Sequence, residues 1–397
     1  MKKVVLAFSG GLDTTYCAVY LSKVLGYEVH AFTVNTGGFT VEEENLLAQK
    51  ASKLGVTSFK VADASLTYYQ EGLKYLIFGN VLKNNTYPLS VSAERIFQAI
   101  AIANYANEIG AHAIAHGSTG AGNDQIRFDM TFHTLCPQVE IITPIRDQSL
   151  TRNQEIEFLK SHGVDGDWTK SAYSINQGLW GTSIGGKETL TSHQGLPEEA
   201  FLHHCENENP TKVTITFKNG EPVALDGKYL SSVNIIQQLD KLANTYAIGR
   251  DIHVGDTIIG IKGRVGFEAG GPLILVKAHH LLEKHTLSKH QLFIKDQLSA
   301  WYGQMMHDGQ LLDPVMRDIE SFLTNSQEHV SGDVFVTLYP YRFVTEGVKS
   351  SYDLMGDKVS QYGEETSGWT GEEARGFAKL LANQSKIYQK VKQLNEN

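Results

Sequence analysis

The stretch that most constrains this chain is Val4-Val5-Leu6-Ala7-Phe8-Ser9-Gly10-Gly11-Leu12-Asp13-Thr14-Thr15. An apolar run ends abruptly in Ser-Gly-Gly, and an amphipathic pattern begins at once. That order predicts a buried strand, a tight turn and a helix over roughly Asp13 to Leu25. Adjacent glycines permit positive φ and bring successive N–H groups close to a bound oxyanion. The helix start adds unpaired N–H groups and the positive end of its dipole. Ser9, Thr14 and Thr15 supply hydroxyls around the same hollow, so the stretch reads as a phosphate cradle. A Walker loop would need a Lys-Ser/Thr pair and a dinucleotide fold a Gly-x-Gly-x-x-Gly string, and neither stands here. A plain strand-to-helix turn is the competing explanation.

The next 140 or so residues repeat the strand–helix alternation. Tyr27 to Thr33 predicts a second strand, and Thr40-Val41-Glu42-Glu43 is a capping box opening a helix that stops at Gly55. Thr57 to Ala62 predicts a third strand, Ser65 to Phe78 and Ser92 to Ile109 helices, and Ala113 to Ala115 a strand running into a glycine-rich loop. Ile141 to Ile145 predicts a further strand, and Thr151-Arg152-Asn153-Gln154 a second capping box. The class is therefore α/β, with a doubly wound parallel sheet that binds ligands beyond the carboxyl ends of its strands. The cradle and the second glycine-rich loop both fall at such ends, so one crevice can hold both.

The composition shifts near Gly163 to Trp168. Beyond it, Lys212 to Phe217 and Pro222 to Leu225 flank an Asn219-Gly220 hairpin turn. Apolar segments at Thr257 to Ile261 and Leu273 to Val276, a long helical stretch near His280 to Phe322, and strands over Val334 to Phe343 predict an α+β second domain. Thr370-Gly371-Glu372-Glu373 caps a last helix whose seam reads Phe377, Leu380, Gln384, Ile387, Val391, Leu394. Either this helix packs on its own core or it is an arm that crosses to another subunit. The expected domains are 1–165, 166–362 and 363–397.

Bulk properties narrow the function classes. A formal net charge of −9 argues against broad binding of nucleic acid or anionic membranes. Three cysteines, Cys17, Cys136 and Cys205, lie scattered with no Cys-x-x-Cys, suggesting neither a disulfide framework nor a zinc site. Two lysines lead straight into the first strand without a signal-peptide pattern, and no apolar run is long enough to span a bilayer. The expectation is a soluble, cytoplasmic protein.

The second loop, His116-Gly117-Ser118-Thr119-Gly120-Ala121-Gly122-Asn123-Asp124-Gln125-Ile126-Arg127-Phe128, gathers three glycines, an amide, a carboxylate and a guanidinium. Asp124 could hold an ammonium, Arg127 a carboxylate or developing anion, and Asn123 offers both a donor and an acceptor. Ordinary turn chemistry is the alternative.

The Ser-Gly-Gly-Leu-Asp-Thr string behind an opening strand resembles the pyrophosphate loop of the N-type ATP pyrophosphatases. Together with His116 to Phe128 it is similar to the argininosuccinate synthase family, and the likeness extends over most of the chain. The resemblance implies a nucleotide-binding domain, a synthetase domain and a C-terminal helix used in homotetramer assembly. It implies Mg-ATP chemistry in which the ureido oxygen of citrulline is adenylated with release of pyrophosphate, and the amine of aspartate then displaces AMP to give argininosuccinate. Carried over by position, Ala7, Phe8, Ser9, Gly10, Gly11, Leu12, Asp13, Thr14, Thr15 and Gly117 would hold ATP, with Val34 beside the adenosine. Thr119, Asn123 and Asp124 would hold aspartate. Tyr87, Ser92, Asn123, Arg127, Ser174 and Ser183 would hold citrulline. No dedicated metal ligands, nucleic acid or membrane partner is implied.

The chain departs from that pattern in places. Ala121 stands where a Lys is common. Gly255, within Val254-Gly255-Asp256-Thr257-Ile258, replaces a citrulline-contacting Glu, and Phe267 replaces a Tyr. Two other readings stay open on these grounds: the same chemistry on an N-acylated citrulline, or an ATP-binding sensor that turns nothing over. No general base is assigned, His116 being either structural or catalytic. Asp13 either caps the helix or orients a metal-bound water. Sulfur-relay thiolases of the same superfamily fit poorly, because the cysteines are isolated and the chain is acidic.

Overall fold

The computed structural model of the protein describes residues 1–166, 168, 172–356 and 368–396. The chain forms two units, residues 1–350 and 351–397. The first opens with β1 (Lys3–Ala7), α1 (Leu12–Val19), β2 (Glu28–Asn35), α2 (Val41–Ser52) and β3 (Ser58–Asp63). Helices α3 (Ser65–Tyr68), α4 (Lys74–Phe78) and α5 (Glu94–Glu108) precede β4 (Ala113–Ala115). Then come α6 (Asp124–Leu135), β5 (Glu140–Ile142), α7 (Pro144–Asp147) and α8 (Arg152–Ser161).

β1 pairs in parallel with both β2 and β4, and the sheet order is β3-β2-β1-β4-β5. Sheet growth reverses between β1 and β4, and at such a switch point a crevice opens beyond the carboxyl ends. Val4 and Leu6 face a core containing Tyr16, Leu54 and Leu159, while Val5 faces another containing Phe32, Ile102 and Phe132. Burial on both faces is why β1 reads as an unbroken apolar run instead of an alternating one.

Thr40 and Thr151 cap α2 and α8 with reciprocal bonds from Glu43 and Gln154, as predicted. The helix expected over Asp13 to Leu25 is α1 continued by a π-helical stretch, Tyr20–Val24, and the one expected over Ser65 to Phe78 is α3 and α4 joined by another, Tyr69–Leu73. The strand expected over Ile141 to Ile145 stops at Ile142, because Pro144 cannot donate to a ladder and instead opens α7.

The rest of this unit comprises β6 (Ser174–Gly178), β7 (Gly181–Gly185), β8 (Thr211–Lys218), β9 (Glu221–Leu225), β10 (Lys228–Tyr229), α9 (Ser232–Asn244), β11 (Arg250–Asp256) and β12 (Lys262–Glu268). Helices α10 (Gly270–Thr286), α11 (Lys289–His307) and α12 (Pro314–Ser326) lead to β13 (Gly332–Tyr339) and β14 (Arg342–Lys349). Two antiparallel sheets result, ordered β10-β9-β8-β13-β14 and β11-β12-β7-β6. Asn219 and Gly220 both take positive φ, 50° and 78°, as the predicted hairpin turn requires. Thr257 to Ile261 is the loop between β11 and β12, not a core segment, and Leu273 to Val276 belongs to α10. The long helical stretch is three helices, divided by the Ser288–Gln291 capping box and by Gly309 at φ +85°. One core joins Ile215, Phe217, Leu275 and Leu338 to Tyr68, Leu73 and Phe97, so the chain between β3 and β4 packs with later residues.

The second unit holds α13 (Gly371–Leu381) and α14 (Asn383–Asn395), with Thr370 and Glu373 forming the expected capping box. The helix breaks at Ala382, and no residue of either part is buried. The expected domain boundary at 362/363 lies outside the described residues.

Candidate active site

The turn after β1 has the features that anion binding demands. Gly10 takes φ +72°, and a Cβ there would run into Leu47 of α2. Gly11 is different: it is extended at φ −69° and ψ 177° and serves as the N-cap of α1, with no side chain capping the helix. The first-turn N–H groups are therefore free for a ligand. Ser9 and Thr14 hydroxyls lie 3.2 Å apart at this mouth. The Thr15 hydroxyl does not belong to the hollow: it is buried and donates to the Gly11 carbonyl at 2.6 Å.

Beyond β4, Gly117 packs directly on this turn. A Cβ at Gly117 would stand 3.1 Å from Asp13 Cβ and 3.3 Å from the Thr14 nitrogen, so the close approach requires glycine. The two loops thus meet on one side of the sheet, as expected from the strand ends. A cavity of about 570 Å³ opens there, within the range of ligand pockets. Its lining includes Ala7, Phe8, Ser9, Gly11, Leu12, Asp13, Thr14, Val34 and Gly117. Gly10 and Thr15 support this wall from behind.

A second cavity adjoins the first. Tyr87, Ser92, Asn123, Arg127 and Ser183 line it, and Arg95, Asp124 and Asn176 line both. Ser174 is exposed on β6, two residues from Asn176, and Thr119 is exposed in the loop; neither lines either cavity. Asn123 reaches across to the β11–β12 loop, its Oδ1 accepting from the Ile258 nitrogen at 3.0 Å.

Asp124 bridges two guanidinium groups, Arg95 at 3.1 Å and Arg127 at 2.9 Å. Burial pushes its carboxyl up, but the two cations win and hold it below the usual carboxylate range. Arg127 is buried and its remaining N–H groups donate to the His307 carbonyl at 2.9 and 2.8 Å. Arg95 also meets Glu94 at 2.9 Å, yet burial raises that carboxyl to about 7, and the Thr36 hydroxyl donates to it. His116 bonds Asp129 through Nε2 at 2.9 Å, and its Nδ1 accepts from the Ser118 nitrogen. Both ring nitrogens are occupied, so His116 shapes the glycine loop.

Asp13 has a neighbour that its sequence position did not announce. Glu155 of α8 is buried, and burial together with the Asp13 charge pushes its carboxyl up to about 8. Burial and the neighbouring carboxylate thus favour the neutral form of Glu155. Lys50 donates to the Gly10 carbonyl and lies over the Trp168 ring at 4.8 Å, bringing to the turn the lysine that its own sequence lacks. Arg95, Asn176, Glu94 and Lys50 all escaped the sequence reading, because each sits on an element whose face only the packing fixes. Ser92 lies in the turn just before α5 and Arg95 in its first turn, three residues on.

These features fit a nucleotide-binding α/β enzyme in which a second cavity adjoins the glycine-rich turn. Family models for the arginosuccinate synthase N-terminal HUP domain and C-terminal domain match residues 3–165 and 173–388. An argininosuccinate synthase of Xanthomonas campestris is 36% identical, with 98% of this chain and 99% of that protein covered. That of Methanocaldococcus jannaschii is 35% identical with 97% of both chains covered, and that of Dictyoglomus thermophilum 34% with 98% and 97% covered. The chain belongs to the argininosuccinate synthase family of ligases.

Proposed function

We propose that this protein joins the ureido group of citrulline to the amine of aspartate, using ATP and forming argininosuccinate for arginine biosynthesis. The observation that carries the reading is the wall of Arg95, Asp124 and Asn176 shared by the two cavities, which would place the ureide beside the nucleotide for both reactions. In the first step the ureido oxygen attacks the α-phosphorus of ATP and pyrophosphate leaves. In the second the aspartate nitrogen bonds the ureido carbon, AMP departs with that oxygen, and the amine releases a proton. Proximity and fixed charges carry such a sequence without a covalent enzyme intermediate.

Ala7 to Thr15, Gly117 and Val34 are assigned to ATP, Thr15 indirectly through its bond to the Gly11 carbonyl. Thr119, Asn123 and Asp124 are assigned to aspartate, and Tyr87, Ser92, Asn123, Arg127, Ser174 and Ser183 to citrulline. Magnesium suits the cradle as the counter-ion of the phosphates. Among the described residues no cluster of three metal-ligating side chains exists, and Mg²⁺ commonly takes one or two carboxylates besides phosphate, a place Asp13 can fill. Its bound charge would neutralise the departing pyrophosphate.

Pyrophosphate release with ATP, a citrulline-type ureide and aspartate tests the reading. Release that requires all three is expected, and nucleotide binding without release would leave only a sensor. No described helix is long and apolar enough to cross a membrane, consistent with a cytoplasmic place. The division at 165 and 362 is proposed as the boundaries of the nucleotide-binding and synthetase domains. The C-terminal helices carry exposed Phe377, Leu380, Ile387 and Leu394, which supports a homotetramer held by this arm. Removing residues 368–397 should lower the mass found by light scattering; an unchanged mass would sink the arm.

A further inference from the structure

The floor of the second cavity is one face of the β11-β12-β7-β6 sheet, and its far end is bare. Gly255 pairs with Gly263 across the β11–β12 hairpin, so one rung facing the cavity has no side chain on either strand. The next rung pairs His253 with Val265, and both line the cavity. His253 is buried and stacks on Tyr87, ring centroids 5.0 Å apart. Its Nδ1 is buried with no hydrogen-bond partner among the described residues. A Cβ at Gly255 would collide with its Nε2, so the missing side chain is what lets the imidazole occupy this wall.

The charges at this end decide what it can take. Asp124 and Asp256 are the carboxylates among the described lining residues. The first is held between Arg95 and Arg127, and the second is paired with Lys262 at 2.7 Å. Arg264, also in the lining, is fixed by backbone carbonyls of Glu188, Thr191 and Gln194. A free α-ammonium of an amino-acid substrate would enter a half-enclosed chamber in which no unpaired described carboxylate meets it, and a desolvated charge without a partner is costly. The surroundings already disfavour a cation there: burial first, then the charges of His307 and Lys83, lower the His253 pKa to about 4. A neutral imidazole offers one donor and one acceptor. A secondary amide, which carries both an N–H and a C=O, can meet such a ring with either group.

From the bare Gly255–Gly263 rung and the unpartnered His253 beside it, we propose that the ureido substrate of this enzyme is a citrulline whose α-nitrogen is acylated. The inference deepens the function above and rests on it. The amide of the capped nitrogen lies against His253, and the acyl chain lies over the glycine rung. The acyl group takes no part in the reaction: bonds form and break at the ureido carbon and the α-phosphorus, and the product keeps the cap.

The test compares pyrophosphate release by the full-length enzyme with ATP, aspartate and either L-citrulline or Nα-acetyl-L-citrulline, with Nα-succinyl-L-citrulline as a longer cap. At least one capped substrate should exceed citrulline in kcat/KM tenfold or more, and mass spectrometry should find the cap intact in the product. Equal or better turnover of free citrulline would overturn the acyl inference and leave the condensation standing. Turnover of no ureide would overturn both. In the variant Gly255→Glu, a carboxylate enters the bare rung and displaces His253. Its preference for the capped substrate should fall tenfold or more, with citrulline gaining; an unaltered ratio would remove this rung from substrate selection. The wild-type comparison decides the matter even where that variant folds poorly.

Discussion

The two adjoining cavities were made in different ways. The crevice proposed for the nucleotide is built from short contiguous strings at the ends of neighbouring parallel strands: Ser9 to Thr14 after β1, Gly117 after β4 and Val34 on β2. Much of its chemistry comes from backbone N–H groups, which need only glycine and a helix start. The second cavity draws on Tyr87, α5, α6, β6, β7, β11 and β12, with residues from 87 to 307. Its chemistry comes from side chains, and their company depends on three layers packing correctly. A site made of backbone is therefore written locally in the sequence, whereas a site made of converging side chains is written across the chain. The first tolerates little variation at its glycines. In the second, a single rung, Gly255–Gly263, is where the proposed change of ligand falls.

If that contrast is right, the largest loss should come from Asp124, one of the three residues that line both cavities. Asp124→Ala leaves the Arg95 and Arg127 guanidinium groups facing each other without their shared carboxylate, a change of roughly 3 kcal/mol or more, or about a hundredfold in kcat/KM. Steady-state kinetics should show the loss whichever substrate is varied. A defect confined to aspartate would mean that Asp124 serves one chamber only.

A smaller and more selective effect is expected at Gly117→Ala. The added methyl presses on Asp13 and Thr14, pushing the loops apart by a few tenths of an ångström. The KM for ATP should rise about tenfold, an order of 1.4 kcal/mol, while the KM for the ureide stays within twofold. Equal rises for both would deny that the crevice and the chamber are separately built.

The smallest effect concerns stability. Glu94 lies beneath the shared wall with its pKa raised from 4.5 to about 7. Its contribution to stability is full below pH 4.5 and is lost as pH rises through about 7, because the unfolded chain ionises first. Glu94→Gln cannot ionise, so its melting temperature relative to wild type should improve by a few degrees between pH 5 and pH 8. A constant offset across that range would place the proton elsewhere.

Sequence periodicity and turn chemistry determined the α/β sheet, the capping boxes at Thr40, Thr151 and Thr370, the Asn219-Gly220 hairpin and the phosphate cradle. These are local decisions, made by nearest-neighbour sterics and by backbone hydrogen bonding within a few residues. Pattern alone did not show that the Thr15 hydroxyl turns back onto its own helix, or that the apolar segment Thr257 to Ile261 is a loop held by Asn123. It also missed Arg95, Lys50 and the raised pKa of Glu155. Each of those depends on the tertiary structure, because a charge acquires its partner and its pKa only when distant elements exclude water around it. The same holds for Gly255: in the sequence it is a missing carboxylate, and in the fold it is the space that His253 occupies.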